Sequence, residues 1–222
     1  MASLLSTSPT KSLLQKLKIK EQRVRFDSEA LYTLIEAAEF NEVEELQKLL
    51  DIGEDVNIIG KDTEGLWDVT PLGICCLKGH IESLELLLNV ENLDINIVDN
   101  SGCSALFHAC SKNHIKIVKR LLKFTSIDFQ SASYGTSPLM ISSYCGYHEI
   151  CKAILDHPNF RKEMILKKDI HGDTCITKAK NDEIKKLLLS YLSEDKVADE
   201  EEEEVKDDTN NNSNVDLNRS FA

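Results

Sequence analysis

An all-α solenoid of about five helix-turn-helix repeats with hairpin-like connecting loops is what this sequence predicts. Three observations predict it. The apolar pair Leu87-Leu88 recurs as Leu121-Leu122, Ile154-Leu155 and Leu187-Leu188 at steps of 34, 33 and 33 residues, with Leu49-Leu50 one longer step upstream. A second column opens the units: Thr70-Pro71-Leu72, Ser104-Ala105-Leu106, Ser137-Pro138-Leu139 and Thr174-Cys175-Ile176. Three residues after each closing apolar position stands a small residue, Cys75, Ala109, Ser142 and Ala179, and Leu34 with Ala37 fits the same rule. Self-similarity at a period of 20–50 residues is the signature of stacked units that cannot bury their apolar faces alone.

Each unit reads as two short helices. In the second, Thr70 is a side-chain cap for free N–H groups and Pro71 suits the first helical position. Gly79 then breaks the chain. Ile81, Leu84, Leu87 and Leu88 fall on one face of a second helix. Small residues in the first helix let neighbouring helices approach closely.

Residues 70–80, Thr-Pro-Leu-Gly-Ile-Cys-Cys-Leu-Lys-Gly-His, resemble the signature T-P-L-H-x-A-A-x-x-G-H of ankyrin repeats. Asp55-Val56-Asn57 and Asp94-Ile95-Asn96 resemble the D-V-N that closes such a repeat. Asp99-Asn100-Ser101-Gly102 and Asp169-Ile170-His171-Gly172 resemble the D-x-x-G of its hairpin tip. The likeness covers about residues 29–193. It departs in places: the signature His is Gly73, Phe107, Met140 and Thr177, and residues 58–69 hold an insertion. The fifth unit has lost four residues from its first helix and carries four extra before Thr174.

The resemblance implies a binding surface of hairpin tips plus the exposed ridge of first helices. Carried over by position, the tips are Thr63, Glu64, Trp67, Asn100, Ser101, Ser133, Tyr134, Ile170 and His171. The ridge is Glu39, Phe40, Leu77, Lys78, Ser111, Lys112, Tyr144 and Cys145. The partner implied is another protein. Trp67 is balanced between a core role and a partner anchor. Asn57 and Asn96 are candidates for hydroxylation by an asparaginyl hydroxylase of the kind that modifies ankyrin repeats; the purely structural turn asparagine is the weightier alternative.

The seven cysteines are odd in number and show no Cys-x-x-Cys, so a reducing compartment is expected, cytoplasmic and also nuclear. Cys75, Cys76 and Cys110 stand where the family places alanine and are expected as buried fillers, whereas Cys103 and Cys145 fall at surface-type positions open to reaction. The histidines are expected to be structural or exposed. No phosphate loop, metal-ligand spacing or paired-carboxylate site emerges, so no catalysis, cofactor, metal or small-molecule substrate is expected; a cysteine/histidine metalloprotein or enzyme is the remote alternative.

Charge divides the chain. The formal net charge of -12 disfavours direct nucleic-acid binding, which needs a basic footprint. Residues 1–28 carry +4 and no acid before Glu21, and are expected to be a flexible leader; mitochondrial targeting by residues 1–25 is a minor alternative that would make an organelle-targeted protein. Residues 29–193 form the repeat domain. Residues 194–222, with the run Glu200 to Glu204 and then Asn210-Asn211-Asn212, are expected to be a disordered acidic tail. Within the domain the charge is polarised, with nine acids against Lys48 alone from Glu29 to Asp55 and a net +6 from Lys112 to Lys186. No run approaches the ~20 apolar residues of a membrane span.

Overall fold

The computed structural model describes residues 33–129 and 133–193. The leader, the start of the repeat domain at residues 29–32 and the acidic tail therefore lie outside the described residues.

Four helix pairs stack in chain order. They are α1 (Leu34–Glu39) with α2 (Val43–Asp51), α3 (Pro71–Lys78) with α4 (Ile81–Leu88), α5 (Ala105–Ser111) with α6 (Ile115–Leu121), and α7 (Pro138–Cys145) with α8 (His148–Leu155). A short helix α9 (Glu163–Leu166) and a longer helix α10 (Asp182–Ser193) follow among the described residues. The first helices α1, α3, α5 and α7 pack in sequence as one layer, and α2 with α4, then α6, α8 and α10, form the layer of second helices.

Local chemistry starts each first helix in the same way. The hydroxyls of Thr33, Thr70, Ser104 and Ser137 each accept the backbone N–H three residues on, and Pro71 and Pro138 take the first helical turn. Thr33 and Glu36 form a reciprocal capping box. Each first helix ends one or two residues before a left-handed position: Asn41 (φ 58), Gly79 (φ 87), Asn113 (φ 62) and Gly146 (φ 86). At Gly79 a Cβ would stand 2.6 Å from His114 Cε1, so the next unit presses on this turn.

The two columns read from the sequence are the core. Leu49, Leu87, Leu88, Leu121, Ile154, Leu155 and Leu188 are buried, as are Ala37, Cys75, Ala109 and Ser142. Burying aliphatic side chains at about 25 cal/mol per Å2 of apolar surface makes these rows the main source of stability.

Two expectations need correction. The fifth unit is not a helix pair: residues 175–178 make a single turn, because too few residues separate Thr174 from α10 for two turns. The four extra residues before Thr174 belong to α9, which drops Ile165 into the core. Cys103 is buried at 8 % exposure rather than surface-placed, its N–H drawn in to the buried Asp99 carboxylate.

Candidate partner-binding surface

Two strands, β1 (Gly60–Lys61) and β2 (Asp68–Val69), pair antiparallel and lift residues 62–67 out as a hairpin tip. Buried Asp62 organises this tip. Its Oδ1 accepts the N–H groups of Leu66 (2.8 Å) and Trp67 (3.2 Å), and its own N–H donates to the Trp67 carbonyl. Trp67 is 47 % exposed and Leu66 69 % exposed, each with its backbone N–H held by Asp62. Trp67 thus lies outside the buried core.

The second tip is closed by a bridge between Val98 and Ser104. Asp99 Oδ1 accepts from the N–H groups of Ser101 (2.8 Å) and Cys103 (2.9 Å), and its Oδ2 lies 2.8 Å from His108 Nε2. Asn100 leans back to donate to Asp68 Oδ2 at 3.0 Å, tying this tip to the one before it. The third tip places Tyr134 at φ 53, with its ring 76 % exposed. The fourth repeats the second: Asp169 Oδ1 accepts from His171 and Asp173, and its other oxygen takes the Lys178 ammonium. Lys178, joined by the two N–H donors, pulls the Asp169 carboxyl down to about 2. Burial alone would raise the Asp99 carboxyl, but His108 and the N–H groups of Cys103 and Ser101 outweigh it and hold the group below the ordinary range.

The ridge lies at the ends of α1, α3, α5 and α7. Phe40, Lys78, Lys112 and Tyr144 are exposed; Leu77, Ser111 and Cys145 are half-buried. Glu39 departs from expectation. At 5 % exposure it is withdrawn from the surface, with Oε1 on Lys78 Nζ at 3.0 Å and Oε2 accepting the Thr63 N–H at 2.9 Å. Burial would raise its carboxyl, yet Thr63 and Lys78 prevail and lower it. Glu39 thus anchors the first tip to the ridge. At the tips Thr63, Glu64, Asn100, Ser101, Ile170 and His171 are exposed, while the Ser133 side chain lies outside the described residues. Leu66 was missed by the sequence reading, although its place beside Gly65 in the tip is a signal of exposure.

The histidines join units. His80 Nε2 meets the Glu39 carbonyl at 2.8 Å, and His114 Nε2 meets the Leu77 carbonyl at 3.3 Å. Spacing did not foreshadow the grouping of Asp99, Cys103 and His108, whose ligand atoms lie within 4.8 Å of one another. The hydrogen bonds just described, and the Asp169–Lys178 pair at the same offset, account for it as a hydrogen-bonded staple. Asn57 and Asn96 also staple units. Asn57 donates to the Asn92 carbonyl (2.7 Å) and accepts the Asp94 N–H (2.8 Å); Asn96 does the same with Ser126 and Asp128 at 2.7 and 2.8 Å.

Burial pushes the Cys110, Cys151 and Cys175 thiols up to about 12, and those of Cys75 and Cys76 higher still, so these five are poor nucleophiles at neutral pH. Among the described residues no helix is long and apolar enough to cross a membrane.

Stacked helix pairs with projecting tips define a repeat protein, and comparison with known proteins agrees. A family model described as Ankyrin repeats (3 copies) matches residues 34–131 and again 72–165, more than half of the chain. The chain belongs to the ankyrin-repeat family. It is similar to the human SMC5-SMC6 complex localization factor protein 1, 27% identical over 164 residues, 61% of this chain and 16% of that protein. It is similar to Ankyrin repeat-containing protein ITN1 of Arabidopsis thaliana, 38% identical over 36% of this chain and 16% of that protein. Putative ankyrin repeat protein YahD of Escherichia coli is 32% identical over 43% of this chain and 45% of its own length. The chain thus spans less than half of each of these relatives.

Proposed function

We propose that this chain is a non-catalytic scaffold or regulatory adaptor that grips a protein partner through its hairpin tips and first-helix ridge. One observation carries the reading. Phe40, Trp67, Tyr134, Tyr144 and Ile170 are exposed at the tips and ridge ends, while neighbours such as Ala38, Val69 and Ser143 are fully buried. Large apolar side chains on rigid, hydrogen-bonded backbone are the usual anchors of protein interfaces, because they bury much area with little ordering cost. Family membership supports the same class of function. The name of the human relative refers to localising a multiprotein complex, and an adaptor of that kind is compatible with this surface. Free thiols at all seven cysteines favour a reducing setting, cytoplasmic or nuclear.

The test is cross-linking of the full chain in cells with site mapping, beside a Trp67→Ala/Tyr144→Ala variant and an Ile52→Ala control. Truncating an anchor costs about 2 kcal/mol, roughly 30-fold in affinity. Partner cross-links to the tips and ridge should fall by at least that order in the double variant, which lacks two anchors, and persist in the control. Equal cross-linking in all three chains overturns the reading.

A further inference from the structure

The layer of second helices, away from the tips and ridge, carries a row of cations that the proposed function does not use. Lys119 on α6, Lys152 on α8 and Lys185 on α10 recur at intervals of 33 residues, and all three are exposed. One unit earlier the same position is Glu85, which pairs with Arg120 at 2.6 Å and ends the row. Lys119 reaches Glu149 at 2.5 Å, whereas Lys152 and Lys185 have no ion pair among the described residues. Lys186 stands exposed beside Lys185. Among the acids on these helices, Glu149 pairs with Lys119, Asp156 accepts the Tyr191 hydroxyl, and Glu183 lies 3.7 Å from His148.

Helices packed side by side sit about 8–10 Å apart. An extended chain advances about 3.3 Å per residue, so every third residue spans one helix spacing. The sequence beyond α10 has acids at that interval: Glu201, Glu204 and Asp207. Reach allows the match. Lys185 lies two turns before Ser193, about 12 Å back along α10, and the stretch from Ser193 to Glu201 can span about 26 Å.

We propose that the acidic residues of 199–208 dock across the second-helix layer, Glu201 at Lys185, Glu204 at Lys152 and Asp207 at Lys119. Tethering to α10 gives the segment a local concentration in the millimolar range, so weak individual pairs suffice. The occupied row is closed to acidic proteins and to nucleic acid while tips and ridge stay open. The proposal is independent of the partner reading above, since it concerns a different layer.

The test uses the full chain. At 50 mM salt a zero-length carbodiimide should join Lys152, Lys185 and Lys186 to residues 199–208 at least fivefold more than it joins Lys61 or Lys112 to them. At 1 M salt, where the Debye length is about 3 Å, that preference should vanish. A synthetic peptide of residues 199–208 should bind the E201Q/E204Q/D207N chain at least fivefold more tightly than the unaltered chain. Adding K152E and K185E should remove this gain, circular dichroism confirming the fold. Cross-links spread evenly over the lysines, or equal peptide affinity for both chains, overturns the proposal. A thymidine oligonucleotide binding the neutralised chain more tightly than the peptide overturns the choice of occupant.

Discussion

Asp99 and His108 are nine residues apart in sequence and 2.8 Å apart in space, and Asp169 meets Lys178 at the same nine-residue offset two units later. One position thus carries two different hydrogen-bond partners for one purpose, the pinning of a hairpin tip to the helix or turn that follows it.

His108→Lys should therefore be tolerated within about 1 kcal/mol, whereas His108→Leu, which leaves the Asp99 carboxylate buried and unpaired, should cost about 3–5 kcal/mol. Urea denaturation of both variants checks this. The pH dependence follows from the acids. A carboxyl depressed in the folded state contributes stability that is present above its unfolded value and lost as pH falls through its folded value. For Asp169 that window runs from 3.8 down to about 2. Thermal melts of the native chain should decline across it more steeply than those of Asp169→Asn.

Gly79 carries two demands, a left-handed backbone and the His114 ring 2.6 Å from any Cβ. Gly79→Ala should cost more than about 1 kcal/mol. Part of that cost should disappear in a His114→Ala background, giving a non-additive double-mutant cycle. Asn113→Gly, at the equivalent turn, should change stability by less than about 0.5 kcal/mol. Equal costs at Gly79 and Asn113 would refute the steric account.

Glu39 and Phe40 are adjacent and should behave oppositely. Glu39→Ala strands Lys78 and the Thr63 N–H, and should destabilise the chain by about 1–3 kcal/mol. Phe40→Ala, at an exposed ring, should leave the melting temperature within a degree or two while weakening partner cross-linking. Paired melts and cross-linking yields separate the two effects.

Hydroxylation of Asn57 and Asn96 remains a proposal, and the staples set its condition. Each amide is held by the backbone of the next loop. A modifying enzyme then gains access only when that loop opens, so Gly79→Ala should increase oxygen addition at Asn57. Peptide mass spectrometry after exposure to such an enzyme reads it directly. No added oxygen on either asparagine, in native or loosened chain, removes the proposal.

Apolar periodicity made the stack legible in the sequence, because a helix must bury a stripe and the stripes at Leu87 and Leu121 recur at one interval. Turn chemistry showed too, as Gly79 and Asn113 occupy one left-handed column. Glu39 was misplaced on the surface because its burial depends on Thr63 and Lys78, partners supplied by a hairpin and by the next unit. His108 was unreadable for the same reason: its value lies in Asp99, which no helical or strand period links to it. Side-chain pairs that cross between elements leave no periodic trace.

The asparagine staples give the stack an order of release. Asn57 holds the loop at residues 92–94, and Asn96 holds that at 126–128. Asn159 reaches back from the far side to the Thr125 carbonyl at 2.7 Å. The loop around Thr125–Asp128 is therefore clasped from both directions, and freeing it requires two neighbours to let go. Under hydrogen exchange its Asp128 amide should be slower than the Asp94 amide, which depends on one staple alone. Fraying that starts at either end of the stack should stall there, like a zip meeting a double stitch.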